Sequence, residues 1–95
     1  MLYVVHAYDY SDEQAPERRL TARPLHLDRA RALKASGNFV LGGALLSPDE
    51  RMIGSMMVVD FDDEPQLRAW LDTDPYVTGR VWEKIDVKPF RQADV

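Results

Sequence analysis

Leu2 to Tyr8 (LYVVHAY) is β-branched and aromatic apart from His6 and gives way to polar turn residues at Asp9 to Asp12, which predicts a first strand. Good helix formers then dominate from Pro16 to Ser36, and Gly37-Asn38 supplies a C-terminal stop because glycine takes the left-handed conformation there. Pro24 interrupts this stretch. Proline lacks an N–H and disfavours helical geometry in the residue before it, so the pattern predicts a short helical segment to about Ala22 and a main helix with Pro24 in its first turn; a kinked continuous helix is the alternative. Phe39 to Leu46 (FVLGGALL) and Met52 to Phe61 (MIGSMMVVDF) read as two strands around the turn Ser47 to Arg51, short enough for an antiparallel hairpin. Asp62 or Asp63 can cap a second helix in which Leu67, Trp70 and Leu71 recur at helical spacing before Asp72 to Pro75 end it. Val81 to Phe90 alternates, with Val81, Glu83, Ile85 and Val87 on one side and Trp82, Lys84, Asp86 and Lys88 on the other.

The order strand, helix, strand, strand, helix, strand predicts an α+β, ferredoxin-like βαββαβ fold: a four-stranded antiparallel sheet with both helices on one face. Apolar positions on both sides of the first three strands, and a Trp82 projecting oppositely to Ile85 and Val87, predict that the other sheet face packs against a second copy as a homodimer of the α/β-barrel type.

Composition narrows the class. Ninety-five residues, 45 % of them apolar, suffice for one thin core, so a single domain over 1–95 is expected, with 91–95 a loose tail. The absence of cysteine removes disulfides, a thiolate nucleophile and Cys-type zinc sites, which suits a cytoplasmic protein. No apolar run approaches the roughly 20 residues of a spanning helix, and no leader with a cleavage site precedes the first strand, so no membrane partner is expected and the mature chain is expected to start at Met1. Twelve basic against sixteen acidic residues give a net charge of −4, and the basic positions Arg18, Arg19, Arg23, Arg29, Arg31 and Lys34 are interleaved with Leu and Ala, which argues against nucleic acid.

His26 leads the candidates for chemistry. On a helix it lies within roughly 60° of Arg19, Ala22, Arg23, Ala30 and Leu33, on the border of the packed face, with two guanidinium groups that would bind an anionic small molecule. A carboxylate partner would fix its tautomer and raise its basicity, whereas a purely structural hydrogen bond is the plain alternative. Asp9, at the exit of the first strand, is the carboxylate that topology favours; Asp74, in Thr73-Asp74-Pro75-Tyr76, is the second, and either could be an ordinary turn or cap residue. The Tyr76 hydroxyl needs a partner and could shape a pocket wall. Gly42-Gly43 and Gly54-Ser55 interrupt strands and mark bulges or close approach of backbone or ligand. Neither matches a phosphate-binding loop, no HExxH or GxSxG occurs, and two histidines alone define no metal site, so neither metal nor cofactor is expected.

Taken together, Asp9, Arg18-Arg19, Arg23-Pro24-Leu25-His26-Leu27, Gly37, Gly42-Gly43, Gly54-Ser55, Asp74-Pro75-Tyr76, Gly79 and Lys88-Pro89-Phe90 resemble the YciI-like (YCII-related) family over almost the whole chain. The resemblance implies a ferredoxin-like fold, usually dimeric through the sheets, with an active site centred on a histidine and an aspartate: His26 and Asp9, with Asp74 near the same cleft. One related branch resembles a dehydrochlorinase of chlorinated hydroxyquinols, while Pro24 and the short hairpin after Gly43 depart from the usual pattern. The resulting expectation is a cofactor-independent lyase or isomerase acting on a cyclic or aromatic metabolite. In it His26 shuttles a proton, Asp9 orients it, and Arg19, Arg23, Gly43, Ser55, Asp74 and Tyr76 contact the substrate. The competing expectation is a noncatalytic ligand-binding or assembly domain in which the His/Asp pair is structural.

Overall fold

The computed structural model describes residues 1–95 and contains β1 (Leu2–Asp9), α1 (Ala15–Ala35), β2 (Phe39–Leu46), β3 (Met52–Asp60), α2 (Glu64–Asp72), α3 (Pro75–Thr78) and β4 (Trp82–Pro89). The strands form one antiparallel sheet in the order β2-β3-β1-β4, the ferredoxin-like arrangement expected from the order of elements. Tyr3, Val5 and Ala7 of β1 and Met57 and Val59 of β3 point to the helix side and are buried with Leu33 of α1 and Leu67 and Leu71 of α2 in a single core.

Of the two layouts open at Pro24, the break expected near Ala22 does not occur and the alternative of a continuous helix does, over 21 residues. Its buried stripe is Ala15, Arg19, Ala22, His26 and Leu33, so Pro24 falls on the opposite, exposed side, where the carbonyl that the missing N–H leaves free is not shut away from solvent. The helix closes as Gly37-Asn38 predicts. Gly37 has φ +85°, its N–H donates to the Lys34 carbonyl at 3.0 Å, and the Asn38 N–H donates to the Leu33 carbonyl at 3.0 Å, a Schellman closure.

The alternation assigned to the last strand fails at one point. Tyr8 pairs with Lys84 but Asp9 pairs with Trp82, so a bulge at Glu83 rotates Trp82 onto the helix side with Ile85 and Val87, where it is buried. The short helix α3 was also not expected; it occupies the Asp74-Pro75-Tyr76 turn, with Asp74 as its N-cap and Pro75 in its first position. The sheet face away from the helices carries Val4, Leu41, Leu45, Met56 and Val58, and Leu41 is half exposed. No helix is long and apolar enough to cross a membrane.

The loop into α1 is tied down by Arg18, whose Nη1 and Nη2 each donate to Asp12 at 2.7 Å and whose Nε donates to the Arg80 carbonyl at 3.0 Å. The hydrogen bonds from Arg18 lower the Asp12 carboxyl from its ordinary 3.8 to about 2. Because the folded value lies below the unfolded one, this contribution is complete above pH 3.8 and lost as pH falls toward about 2. Acid-unfolding curves are therefore expected to lose a component in that window in the Asp12→Asn variant; superimposable curves would exclude the contribution.

Candidate active site

The inward stripe of α1 carries two residues that cannot be buried without partners, Arg19 and His26, seven positions or about two helical turns apart. Each finds a carboxylate, but not as expected. His26 Nδ1 lies 2.9 Å from Asp74 Oδ1, whereas Asp9 binds Arg19, whose Nη1 donates to both Asp9 oxygens at 2.8 Å. The expected His26–Asp9 pair is thus replaced by two separate pairs. Asp9 ends β1 beside the N-terminal half of α1, while Asp74 caps α3, which packs against the following turns.

Asp74 is fully buried. Its Oδ1 also accepts the Tyr76 backbone N–H at 2.8 Å, and its Oδ2 faces Arg29 Nη1 at 3.5 Å, beyond hydrogen-bonding contact. A carboxylate oxygen facing a ring nitrogen at this distance accepts, so Nδ1 of His26 is the donor of the pair, which in a neutral ring leaves the lone pair on Nε2. Nε2 has no protein partner and is not among the sealed polar atoms, so it remains open. The imidazole stacks on Tyr76 at 3.8 Å between centroids, 10° from parallel, with the Trp82 ring edge-on at 5.6 Å. These contacts fix the ring plane, and Arg19 completes the aromatic cluster with its guanidinium carbon 4.8 Å from the Tyr76 centroid. Ala22, between Arg19 and His26 on the same stripe, is small enough to leave this space to the tyrosine.

His26, Arg19, Arg23, Ser55 and Tyr76 line a cavity of about 90 Å³ between α1 and the sheet. Its mouth is formed by Arg23, Gly42, Gly43 and Ala44, all exposed. Arg23 makes no ion pair within 4.0 Å and is the free cation at the entrance. A Cβ on Gly42 would come within 2.8 Å of Phe39 Cζ and 3.0 Å of Met57 Cγ, so glycine there lets Phe39 lie across the strand; a Cβ on Gly43 would meet nothing within 4 Å. The Tyr76 hydroxyl has no protein partner and is not sealed, and burial raises its ionisation above the usual phenol value. Asp9 does not reach this cavity; it lines a larger groove of about 740 Å³ on the other side of Arg19. Burial raises the Asp9 carboxyl, with Arg19 acting in the opposite direction.

The structure thus brings together His26, Asp74, Tyr76, Ser55, Arg19, Arg23 and Gly43 and sets Asp9 behind Arg19. Two neighbours were missed from the sequence: Trp82, hidden by the bulge, and Arg29, which the helical period places one turn after His26; Gly42, singled out with Gly43 as a point of close approach, is the one of the pair whose inward side is crowded by Phe39 and Met57. No group of three or more His, Cys, Asp or Glu side chains is arranged to hold a metal ion.

A family model described as the YCII-related domain matches residues 1–91. The protein YciI of Escherichia coli is 36 % identical over 98 residues, covering 97 % of this chain and 98 % of its own. The "derivative of benzaldehyde biosynthesis cluster protein C" of Emericella nidulans is 31 % identical over 80 residues, covering 76 % of this chain and 82 % of its own. Among solved structures, the 5-chloro-2-hydroxyhydroquinone dehydrochlorinase TftG of Burkholderia phenoliruptrix, in complex with 2,5-dihydroxybenzoquinone, superposes with a TM-score of 0.84 at 19 % identity, covering 98 % of this chain and 96 % of that one. A dimeric ferredoxin-like protein of unknown function from Jannaschia sp. gives 0.57 at 16 % identity, covering 96 % and 98 %. Both share the fold.

Removing the Asp74 carboxylate would strand the His26 Nδ1 proton and the Tyr76 N–H inside the protein and take away the carboxylate that faces Arg29. Asp74→Ala is expected to lower the unfolding free energy by about 3–5 kcal/mol, measured by urea denaturation, against less than about 0.5 kcal/mol for Arg23→Ala. Equal, small effects would show that Asp74 does not organise the site.

Proposed function

The chain belongs to the YCII-related family, and on that premise we propose that it is a cofactor-independent enzyme that moves a proton on a small cyclic or aromatic metabolite. The observation that carries this reading is the His26 ring: Nδ1 bound to a buried carboxylate, one face stacked on Tyr76 with Trp82 at the edge of the stack, and Nε2 open at a cavity. A neutral imidazole held this way is a general base at Nε2, and the imidazolium it becomes is stabilised by Asp74. Asp74, rather than Asp9, is therefore the orienting residue. Arg23 at the mouth suits an anionic group on the substrate, and the aromatic walls suit a flat ring. The enclosed volume of about 90 Å³ equals about three waters, so a ring would enter edge-first with its far side between Arg23 and the glycine backbone. TftG, of the same fold, acts on a chlorinated hydroxyhydroquinone, and a relative in Emericella nidulans takes its name from a biosynthesis cluster; both are small-molecule settings.

The test is turnover of hydroxylated quinols, 5-chloro-2-hydroxyhydroquinone included, followed in D₂O by ring-proton exchange and by chloride release. Positioned acid-base groups supply on the order of 10²- to 10⁴-fold, so His26→Gln is expected to slow turnover by at least about 100-fold with an unchanged far-ultraviolet spectrum. A His26→Gln rate within about twofold of the parent would sink the assignment. One observation favours the second reading, a structural dyad: Asp74 also caps α3. On that reading His26→Gln lowers stability and changes no rate.

The reading also has two copies meeting through the open sheet face, where Val4, Leu41 and Met56 present apolar surface without helix cover. Sedimentation equilibrium is expected to give twice the chain mass for the parent and the single chain mass for Val4→Lys; a monomeric parent overturns the dimer.

A further inference from the structure

Ser55 sits at the centre of β3 with Ala7 of β1 on one side and Ala44 of β2 on the other, both too small to cover its hydroxyl. Its Oγ accepts two hydrogen bonds, from Arg19 Nη2 at 2.9 Å and from Trp82 Nε1 at 3.1 Å. Guanidinium and indole nitrogens only donate, and a hydroxyl has two acceptor directions and one proton. Both acceptor directions are filled. The proton of Ser55 must therefore occupy the remaining direction, where it meets no protein acceptor, and Ser55 is part of the wall of the cavity that holds His26 and Tyr76.

The donor is also strengthened from behind. Asp9 binds Arg19, Arg19 binds Ser55, and a hydroxyl that accepts from a cation becomes a better donor in turn. Such a group satisfies an oxygen lone pair, best one bearing negative charge, and offers nothing to an ammonium or a hydrocarbon edge. We propose that Ser55 is the oxyanion donor of the site and that the substrates are carbonyl or phenolic compounds whose oxygen gains charge as the proton leaves. This rests on the proton-transfer reading above. In the step implied, a C–H bond next to a carbonyl breaks, its proton passes to His26 Nε2, its electron pair becomes the new C=C bond, and the π pair of the carbonyl moves onto the oxygen, which Ser55 holds as an enolate. The Asp9–Arg19 pair then acts as the support of the donor and not of the base, which accounts for its position away from His26.

The probe is 4-nitrophenolate at mildly alkaline pH, whose visible band moves to the blue when its oxygen accepts hydrogen bonds, with neutral 4-nitroanisole as a ring of like shape without an oxyanion. Ser55→Ala is expected to weaken phenolate binding by about tenfold or more and to shift the bound band to the red, with anisole binding within about twofold of the parent. Ser55→Thr, which keeps the hydroxyl, is expected to recover both affinity and band. Equal loss of phenolate and anisole binding in Ser55→Ala would make the residue structural and overturn the proposal. So would an unchanged band, or a parent protein that fails to bind phenolate at millimolar concentration. His26→Gln separates the two claims, because it is expected to stop turnover while leaving the Ser55-dependent band shift in place; turnover surviving in His26→Gln with that shift intact would remove the base and spare the donor.

Discussion

The structure turns on the burial of Arg19 and His26 along one stripe of a single helix. A charged or strongly polar side chain removed from water costs several kcal/mol unless an opposite charge or hydrogen-bonding group meets it, so each residue dictates what must face it. Arg19 draws the end of β1 to the helix through Asp9 and the middle of β3 through Ser55. His26 draws α3 onto the helix through Asp74, and with it Tyr76, whose ring stacks on the imidazole. The core is completed by Val, Leu and Met, but the register of α1 over the sheet is set by these polar contacts, since apolar packing alone is less directional.

The same requirement explains what the sequence disclosed and what it withheld. Periodicity placed His26 and Arg19 on the inward border of α1, and strand chemistry placed β2 at its observed limits. The choice between Asp9 and Asp74 did not follow, because it depends on which turn of α1 each strand end and helix cap approaches, a matter of three-dimensional docking. Asp9 precedes α1 by few residues and so meets its early turns; Asp74 is distant in sequence yet arrives at the later ones through α3. Trp82 was misplaced by a strict period of two, which a single extra residue at Glu83 reverses. Pro24 was read as a break because proline rules are local, whereas its tolerance depends on which side of the helix is wet.

Arg19 divides the molecule chemically as well as spatially. On one side is a broad groove reaching Asp9, and on the other a small cavity reaching His26; Arg19 lines both. A base and an oxyanion donor placed on one charge network would compete, since a guanidinium beside an imidazole disfavours the protonated ring that proton abstraction produces. On the proposed reading, separating the networks, with Asp74 facing His26 and Asp9 neutralising Arg19, lets the Arg19 cation polarise Ser55 while its own charge is met by Asp9.

That separation also bears on how far a shared fold informs activity. TftG and the Jannaschia protein have this arrangement of strands and helices at 19 % and 16 % identity, where the backbone is common property and the side chains are not. Activity in this domain has then to be argued from its own residues, here the polar ones on the inward stripe of α1 and at the centre of β3, together with the mouth beside β2. Here the mouth is walled by backbone at Gly42 and Gly43, with Phe39 filling the space a side chain would take. A cavity this shallow selects by the edge of the molecule that enters it. On the proposed reading, chemistry at that edge, an acidic proton beside an oxygen able to hold charge, is therefore a stricter requirement on the substrate than its overall size.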